Sequence, residues 1–291
     1  MICRKFYSIL AVSFLFLLLL TQTSCEKFTG DQTIPSYIKI DSIRLTTDYS
    51  TQGTALHNIT DAWVYVDGEL IGAFQLPARF PVLKQGSHSL MVLPGVKKDG
   101  ISSTRIAYPF YQAVYKTINL VPDSTLNVGT LTTTYSTRAK FLWKEDFDDV
   151  AITLDTTAAT TEKIKQTTAD SLILEGLHSG IVNLDTTDAV FEAVSHSTFT
   201  IPNSEVFLEM NFNVNTYITV GVYVTVFGVV SQVPIITLNP TNNKWKKIYI
   251  DLTTTLNAYS GATKFRVYYY LKNTTGDDYR ILLDNIKLLS F

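Results

Sequence analysis

Ala62-Trp63-Val64-Tyr65-Val66-Asp67-Gly68-Glu69-Leu70-Ile71-Gly72 decides the fold class. Two apolar runs flank Asp67-Gly68. A two-residue type I′ turn needs positive φ at both central positions, and Asp followed by Gly supplies it at low steric cost. The stretch reads as a β-hairpin with Asp67-Gly68 at its tip. Before it, alternation begins at Tyr37 and points Ile38, Ile40 and, after a slip of register, Ile43 and Leu45 inward. After it, strands fit residues 80–83, 89–93, 105–111, 115–120 and 126–134, with Gln85-Gly86-Ser87-His88 as a turn. Short strands at this spacing, separated by turn residues, predict a small β-sandwich over 37–135.

Composition points the same way. Thr, Val, Ile, Tyr and Phe are abundant while charged residues are only 17%, a mixture suited to pleated sheets. The apolar share, 46%, is too high for a disordered chain. With a net charge of −2 and no basic stripe, nucleic acid is excluded as an expected partner. The only segment that competes for a helix, Thr156–Ile173, is so rich in threonine that it reads as loop and short strand.

The first 24 residues have a different logic. A basic head (Arg4, Lys5) precedes an apolar run from Ile9 to Leu20, and Thr21-Gln22-Thr23-Ser24 follows. That run is 12 residues long, whereas a membrane-spanning helix needs roughly 20, so residues 1–24 read as a secretory signal peptide. Thr23-Ser24-Cys25 resembles the lipobox of bacterial lipoproteins, with Gln22 where that family usually has Leu. The resemblance implies cleavage before Cys25 and acylation (palmitate) of its thiol and new N-terminus. A membrane is then the first expected partner, and residues 25–36 become a lipidated tether. Glu26 rather than Asp follows the cysteine, which favours the outer membrane; periplasmic and external faces both stay open. Cys3 and Cys25 are the only cysteines, so the mature chain has no thiol for a disulfide, a nucleophile or a zinc site.

The hairpin together with Gly86-Ser87-His88-Ser89-Leu90 resembles PEGA-like and carboxypeptidase-regulatory-like β-sandwich modules, which implies a spacer or docking role for 37–135. A polar run, Thr134–Lys140, then separates two apolar stretches. Beyond it, Glu145-Asp146-Phe147-Asp148, Trp245–Leu252 and Leu283-Asp284-Asn285-Ile286 stand in an order that resembles the jelly-roll domains of galactose-binding and carbohydrate-binding-module type. The expected architecture is all-β: two β-sandwich domains in series, 37–135 and 140–291, the second a jelly roll.

Alternation assigns faces within that jelly roll. Leu208, Met210, Phe212 and Val214 form one side of a strand, opposite Glu209, Asn211, Asn213 and Asn215. Val220, Val222, Val224 and Val226 oppose Tyr223 and Phe227, and Phe265, Val267, Tyr269 and Leu271 oppose Arg266, Tyr268 and Tyr270. If the apolar faces share one core, the other faces assemble into a sheet surface of amides, a carboxylate, an Arg and aromatic rings. Rings stack on pyranose faces while amides and charges bond hydroxyls, so glycan is the expected ligand of Glu209, Asn211, Asn213, Tyr223, Phe227, Arg266, Tyr268 and Tyr270. The jelly-roll resemblance also implies a structural calcium ion between first and last strands, for which Glu145, Asp146 and Asp284 are the candidate ligands.

Catalysis has no anchor. His57, His88, His178 and His196 lie in four separate segments without HExxH or H-x-H spacing, and no G-x-S-x-G elbow is present. The expected function is a non-catalytic, lipid-anchored glycan binder. The rivals are a structural lipoprotein that docks envelope protein partners, and an enzyme accessory or degraded glycoside hydrolase.

Overall fold

A computed structural model describes residues 34–259 and 261–291. The expected signal peptide and the expected lipid site, Cys25, lie outside the described residues. Strands dominate. The first eight are β1 (Ser36–Leu45), β2 (Asp61–Val66), β3 (Glu69–Gln75), β4 (Ala78–Val82), β5 (Gly86–Lys97), β6 (Arg105–Ala107), β7 (Val114–Leu120) and β8 (Thr125–Thr133). They form two sheets. In one, β1 lies between antiparallel β4 and parallel β8; in the other, β2 lies between β3 and β5, and β5 also pairs with β6 and β7.

The β2–β3 hairpin turns as the dipeptide predicts, with φ of 53° at Asp67 and 79° at Gly68. The predicted slip in β1 is a register shift against β8 on either side of Ile40, and it keeps Ile38, Ile40 and Ile43 buried together. These residues pack with Val64, Val66, Phe80, Leu90 and Val92 as the first core.

The second sandwich comprises β9 (Lys140–Glu145), β10 (Leu154–Thr156), β11 (Lys165–Thr167), β12 (Ser179–Leu184), β13 (Val190–Ser195), β14 (Phe199–Thr200), β15 (Val206–Val214), β16 (Ile218–Val226), β17 (Val229–Leu238), β18 (Lys246–Asp251), β19 (Ala262–Lys272) and β20 (Tyr279–Ser290). One sheet runs β11-β12-β20-β15-β18 with β9 also on β20. The facing sheet runs β10-β13-β19-β16-β17 with β14 on β19. Leu208, Met210 and Val214 from the first sheet meet Val220, Val222, Val224, Phe265, Val267 and Tyr269 from the second in one continuous core. The inner faces read from alternation are therefore the inner faces observed, except that Val226, beside a register shift at the end of β16, is only partly buried and stays out of the core. Thr156–Ile173 contains β11 and one 3-10 turn, Asp170–Leu172, rather than an α-helix.

One predicted strand is shorter than expected. The run 105–111 is strand only as far as Ala107, because Tyr108, Phe110 and Tyr111 leave the sheet and enter a third core. There they join Leu45, Val96 and Tyr135 against Phe207, Tyr249 and Leu289 of the second sandwich. Tyr108 sits edge-on to both Phe207 and Tyr249, with centroids 5.5 Å and 4.8 Å away. Side chains of this size contribute about 1.5–3 kcal/mol each when fully buried, so this junction is a major packing contact. Backbone bonds tie it further. Asp99 N–H donates to the carbonyl of Tyr249 at 2.8 Å, Asp251 N–H donates to the Asp99 carboxylate at 2.8 Å, and Lys98 pairs with Asp251 at 3.1 Å.

Candidate ligand-binding site

The residues expected to share one surface lie on opposite sides of the second sandwich. Glu209, Asn211 and Asn213 point outward from β15, but that outer face is covered by the first sandwich and by neighbouring loops. Glu209 is wholly buried, and Asn211 and Asn213 are nearly so. Glu209 Oε1 accepts from the Tyr108 hydroxyl at 2.9 Å and Oε2 from the Tyr135 hydroxyl at 2.8 Å. Lys247 Nζ lies 3.1 Å from Oε2, close enough for an ion pair. Burial alone would raise the Glu209 carboxyl, but Lys247, Lys287 and the two phenols outweigh it and hold it below the usual carboxylate range. Asn213 Oδ1 accepts from the Thr241 hydroxyl at 2.9 Å. The expectation that Glu209, Asn211 and Asn213 join an open sheet face is thus corrected: polar alternation marked a side of the strand that a second domain covers.

Tyr223, Arg266, Tyr268 and Tyr270 occupy the outer face of the other sheet, which points away from the first sandwich. Tyr268 is also corrected, being only 2% exposed and so not an open platform. Gly221, without a side chain, makes room for it: a Cβ there would approach the Tyr268 ring to 2.5 Å. Tyr223 packs beside Tyr268 at 5.1 Å between centroids and stays half-buried. Phe227 does not belong to the sheet face. With φ of 48°, followed by Gly228 at 82°, it forms the tip of the β16–β17 hairpin, where its ring is 91% exposed.

On this outer face lies a groove of about 350 Å³ lined by Thr157, Val194, Tyr223, Thr225, Val230 and Arg266. Its polar groups are held from behind by Glu192 of β13, which sequence reading missed because it sits in a short strand with no evident alternation. The Glu192 carboxylate accepts from the Tyr223 hydroxyl at 2.5 Å, the Gln232 amide at 2.8 Å and the Thr157 hydroxyl at 2.6 Å. Burial, then the Glu192 contact, pushes the Tyr223 phenol well up, so it stays a donor. Arg266 is fixed by the Ser195 carbonyl, which accepts from Nε at 2.6 Å, and by Asp155 at 2.5 Å. Asp155 is held low by its hydrogen bond to His196 and by Arg266. An aromatic wall, hydroxyls and an oriented guanidinium can receive a hydroxylated ring.

The calcium candidates do not converge. Among the described residues no three metal-binding side chains gather. Glu145 accepts from the N–H groups of Phe147 and Thr153, Asp146 from the Tyr49 hydroxyl and the Asp148 N–H, and Asp284 from the Ser179 hydroxyl and the Asn285 N–H. These three carboxylates thus hold turns and a strand irregularity, where Asn285 has φ of 50°. The histidines are scattered: His88 meets Asp67, His178 approaches Asp148, His196 meets Asp155 and His57 faces the cleft between the sandwiches.

No family model matches the chain, and no curated protein matches it. Solved structures that match include the CBM22-1 xylan-binding domain of Paenibacillus barcinonensis Xyn10C, at 13% identity and TM-score 0.40, covering 53% of this chain and 97% of that one. A family 22 carbohydrate-binding module of Clostridium thermocellum Xyn10B matches at 17% identity and TM-score 0.37, covering 52% and 94%. TmCBM61 in complex with β-1,4-galactotriose matches at 14% identity and TM-score 0.32, covering 47% and 87%.

Proposed function

We propose that the protein is an exported, lipid-anchored, non-catalytic glycan binder whose ligand enters the Tyr223 groove. One observation carries this reading: the groove combines an aromatic wall with Arg266 and the Glu192-organised hydroxyls, on the sheet face turned away from the first sandwich. Buried second-line contacts hold these groups in place before any ligand arrives, which lowers the ordering cost of binding. The N-terminal lipid at Cys25 would lie on the far side of the first sandwich in chain order, so that sandwich acts as a spacer. Among the described residues no helix is long and apolar enough to cross a membrane.

A glycan array probed with the detergent-solubilised full chain, followed by calorimetry on each positive glycan, tests the binding claim. Tyr223→Ala and Arg266→Ala should each abolish retention; binding unaffected by both would sink it. Labelling with radioactive palmitate tests the anchor, and Cys25→Ser should remove the label.

A second reading, docking to an envelope protein, draws on the β16–β17 tip, where Phe227, Val229 and Val230 are 91%, 66% and 60% exposed. Crosslinking in intact cells should capture a partner through that tip if docking is the main role, and Phe227→Ser should prevent it.

A further inference from the structure

A second cavity, of about 550 Å³, opens where the two sandwiches meet. It shares no lining residue with the Tyr223 groove. Its volume falls within the range of about 300–1,000 Å³ typical of small-molecule sites. His57 and Lys97 come to it from the first sandwich and Asn211, Trp245, Lys246 and Lys247 from the second. Neither domain forms it alone.

Two of its residues have unfinished chemistry. Buried polar atoms almost always find partners, so exceptions need a reason. Five buried side-chain polar atoms among the described residues lack a hydrogen-bond partner, and two of them, Asn211 Oδ1 and Lys247 Nζ, belong to walls of this one cleft. The two residues face each other across the β15–β18 ladder. Lys247 Nζ does lie 3.1 Å from Glu209, but at an angle that makes no hydrogen bond. Glu209 is in turn shared with the phenols of Tyr108 and Tyr135 and is influenced by Lys287. One carboxylate is therefore shared between Lys247 and Lys287, whose amine burial pushes down to about 7. The Lys247 charge reaches the cleft wall, since after burial it is the main influence holding His57 below its usual value. Lys97 and Lys246 add positive charge to the lining, against Asp99.

An ammonium with donors to give calls for an anion, and an amide oxygen with no partner calls for a hydroxyl. The half-exposed indole of Trp245 supplies an apolar wall beside them. The cleft is far larger than a single inorganic anion. We infer that it binds an acidic sugar, with the carboxylate at Lys247, a ring hydroxyl at Asn211 and the ring face against Trp245. This site stands apart from the Tyr223 groove, and each can fail without the other.

Tryptophan fluorescence of the detergent-solubilised full chain tests it. Glucuronate, galacturonate and trigalacturonate are titrated beside glucose, galactose and inorganic phosphate. A saturable change with the acidic sugars, about tenfold or more tighter than with their neutral counterparts, is expected, and Trp245→Phe should remove that signal. Monomer and trimer distinguish a free sugar acid from the end of a polymer. Asn211→Asp places a carboxylate of the protein's own beside Lys247, in competition with the ligand's, and should weaken binding by about tenfold or more, with circular dichroism unchanged. Should Asn211→Asp unfold the protein, Trp245→Ala, at a half-exposed position and measured by calorimetry because it lacks the fluorescent reporter, is expected to show the same loss, and Tyr223→Ala to show none. No saturable response to any acidic sugar, equal binding of neutral sugars or phosphate, or wild-type affinity in a folded Asn211→Asp or Trp245→Ala variant would overturn the inference.

Discussion

The Tyr108 hydroxyl donates to Glu209 Oε1 at 2.9 Å, although the two residues belong to different sandwiches and stand 101 positions apart in the chain. Neither side chain could complete this bond within its own domain. Around it, Tyr135, Lys247 and Lys287 gather into a buried ionic junction.

Removing the carboxylate should break that junction. Glu209→Ala leaves Lys247 buried without its anion, and uncompensated buried charge costs about 3–5 kcal/mol. Scanning calorimetry is expected to show a lower first transition and separation of the two domains' melting. A single transition at the wild-type temperature would show that the junction contributes nothing.

Tyr223 offers a division between ring and hydroxyl. Tyr223→Phe keeps the wall of the groove but deletes the donor to Glu192, a bond of roughly 1.5–3 kcal/mol because the acceptor is charged. Glycan affinity should fall much less in Tyr223→Phe than in Tyr223→Ala when both are measured by calorimetry. Equal losses would mean that the hydroxyl, and not the ring, carries recognition.

Asp284 should make stability depend on pH. Burial raises its carboxyl to about 7, with Asp148 and Glu175 adding repulsion against the opposing hydrogen bonds from Ser179 and Asn285. Its unfolded value is near the ordinary ~3.9. Between those two values the folded state holds the proton more tightly, so the contribution is fully present below about pH 4 and is lost as pH rises through about 7. Asp284→Asn mimics the protonated form. In urea denaturation with a calcium chelator present, it should exceed the wild type by on the order of 2 kcal/mol at pH 8, and the advantage should shrink toward pH 5. A constant difference across that range would rule out the assignment.

Gly221 is a steric requirement rather than a turn. A methyl group there would meet the carbonyl of Val233 and the ring of Tyr268, and the backbone on one side cannot yield. Gly221→Ala should therefore cost about 1–3 kcal/mol, as overpacking does, and shift Tyr268. Chemical denaturation measures the first effect. The environment of the Tyr268 ring in NMR spectra reports the second.

Much of the fold was legible in the order of residues alone, and much of the site was not. Asp67-Gly68 declared its own hairpin because turn geometry depends on two adjacent residues. Alternation in β15, β16 and β19 identified the inner faces because the side-chain period of a strand is local. The same rule placed Tyr223 and Arg266 on the outer face of their sheet, where they border the groove. Glu192 was not found this way, because its role comes from Tyr223, Gln232 and Thr157, which other segments deliver to it.

By itself, then, the sequence determined which sides of β15, β16 and β19 face their own core. Only the tertiary structure decided what lies against the other side. Glu209 and Tyr223 both point away from the shared core, yet one is sealed beneath the first sandwich and the other borders an open groove. The physical reason is range. Pleat and turn chemistry act over a few residues, whereas covering an outer face depends on where a distant chain segment, here Tyr108 to Tyr135, comes to rest.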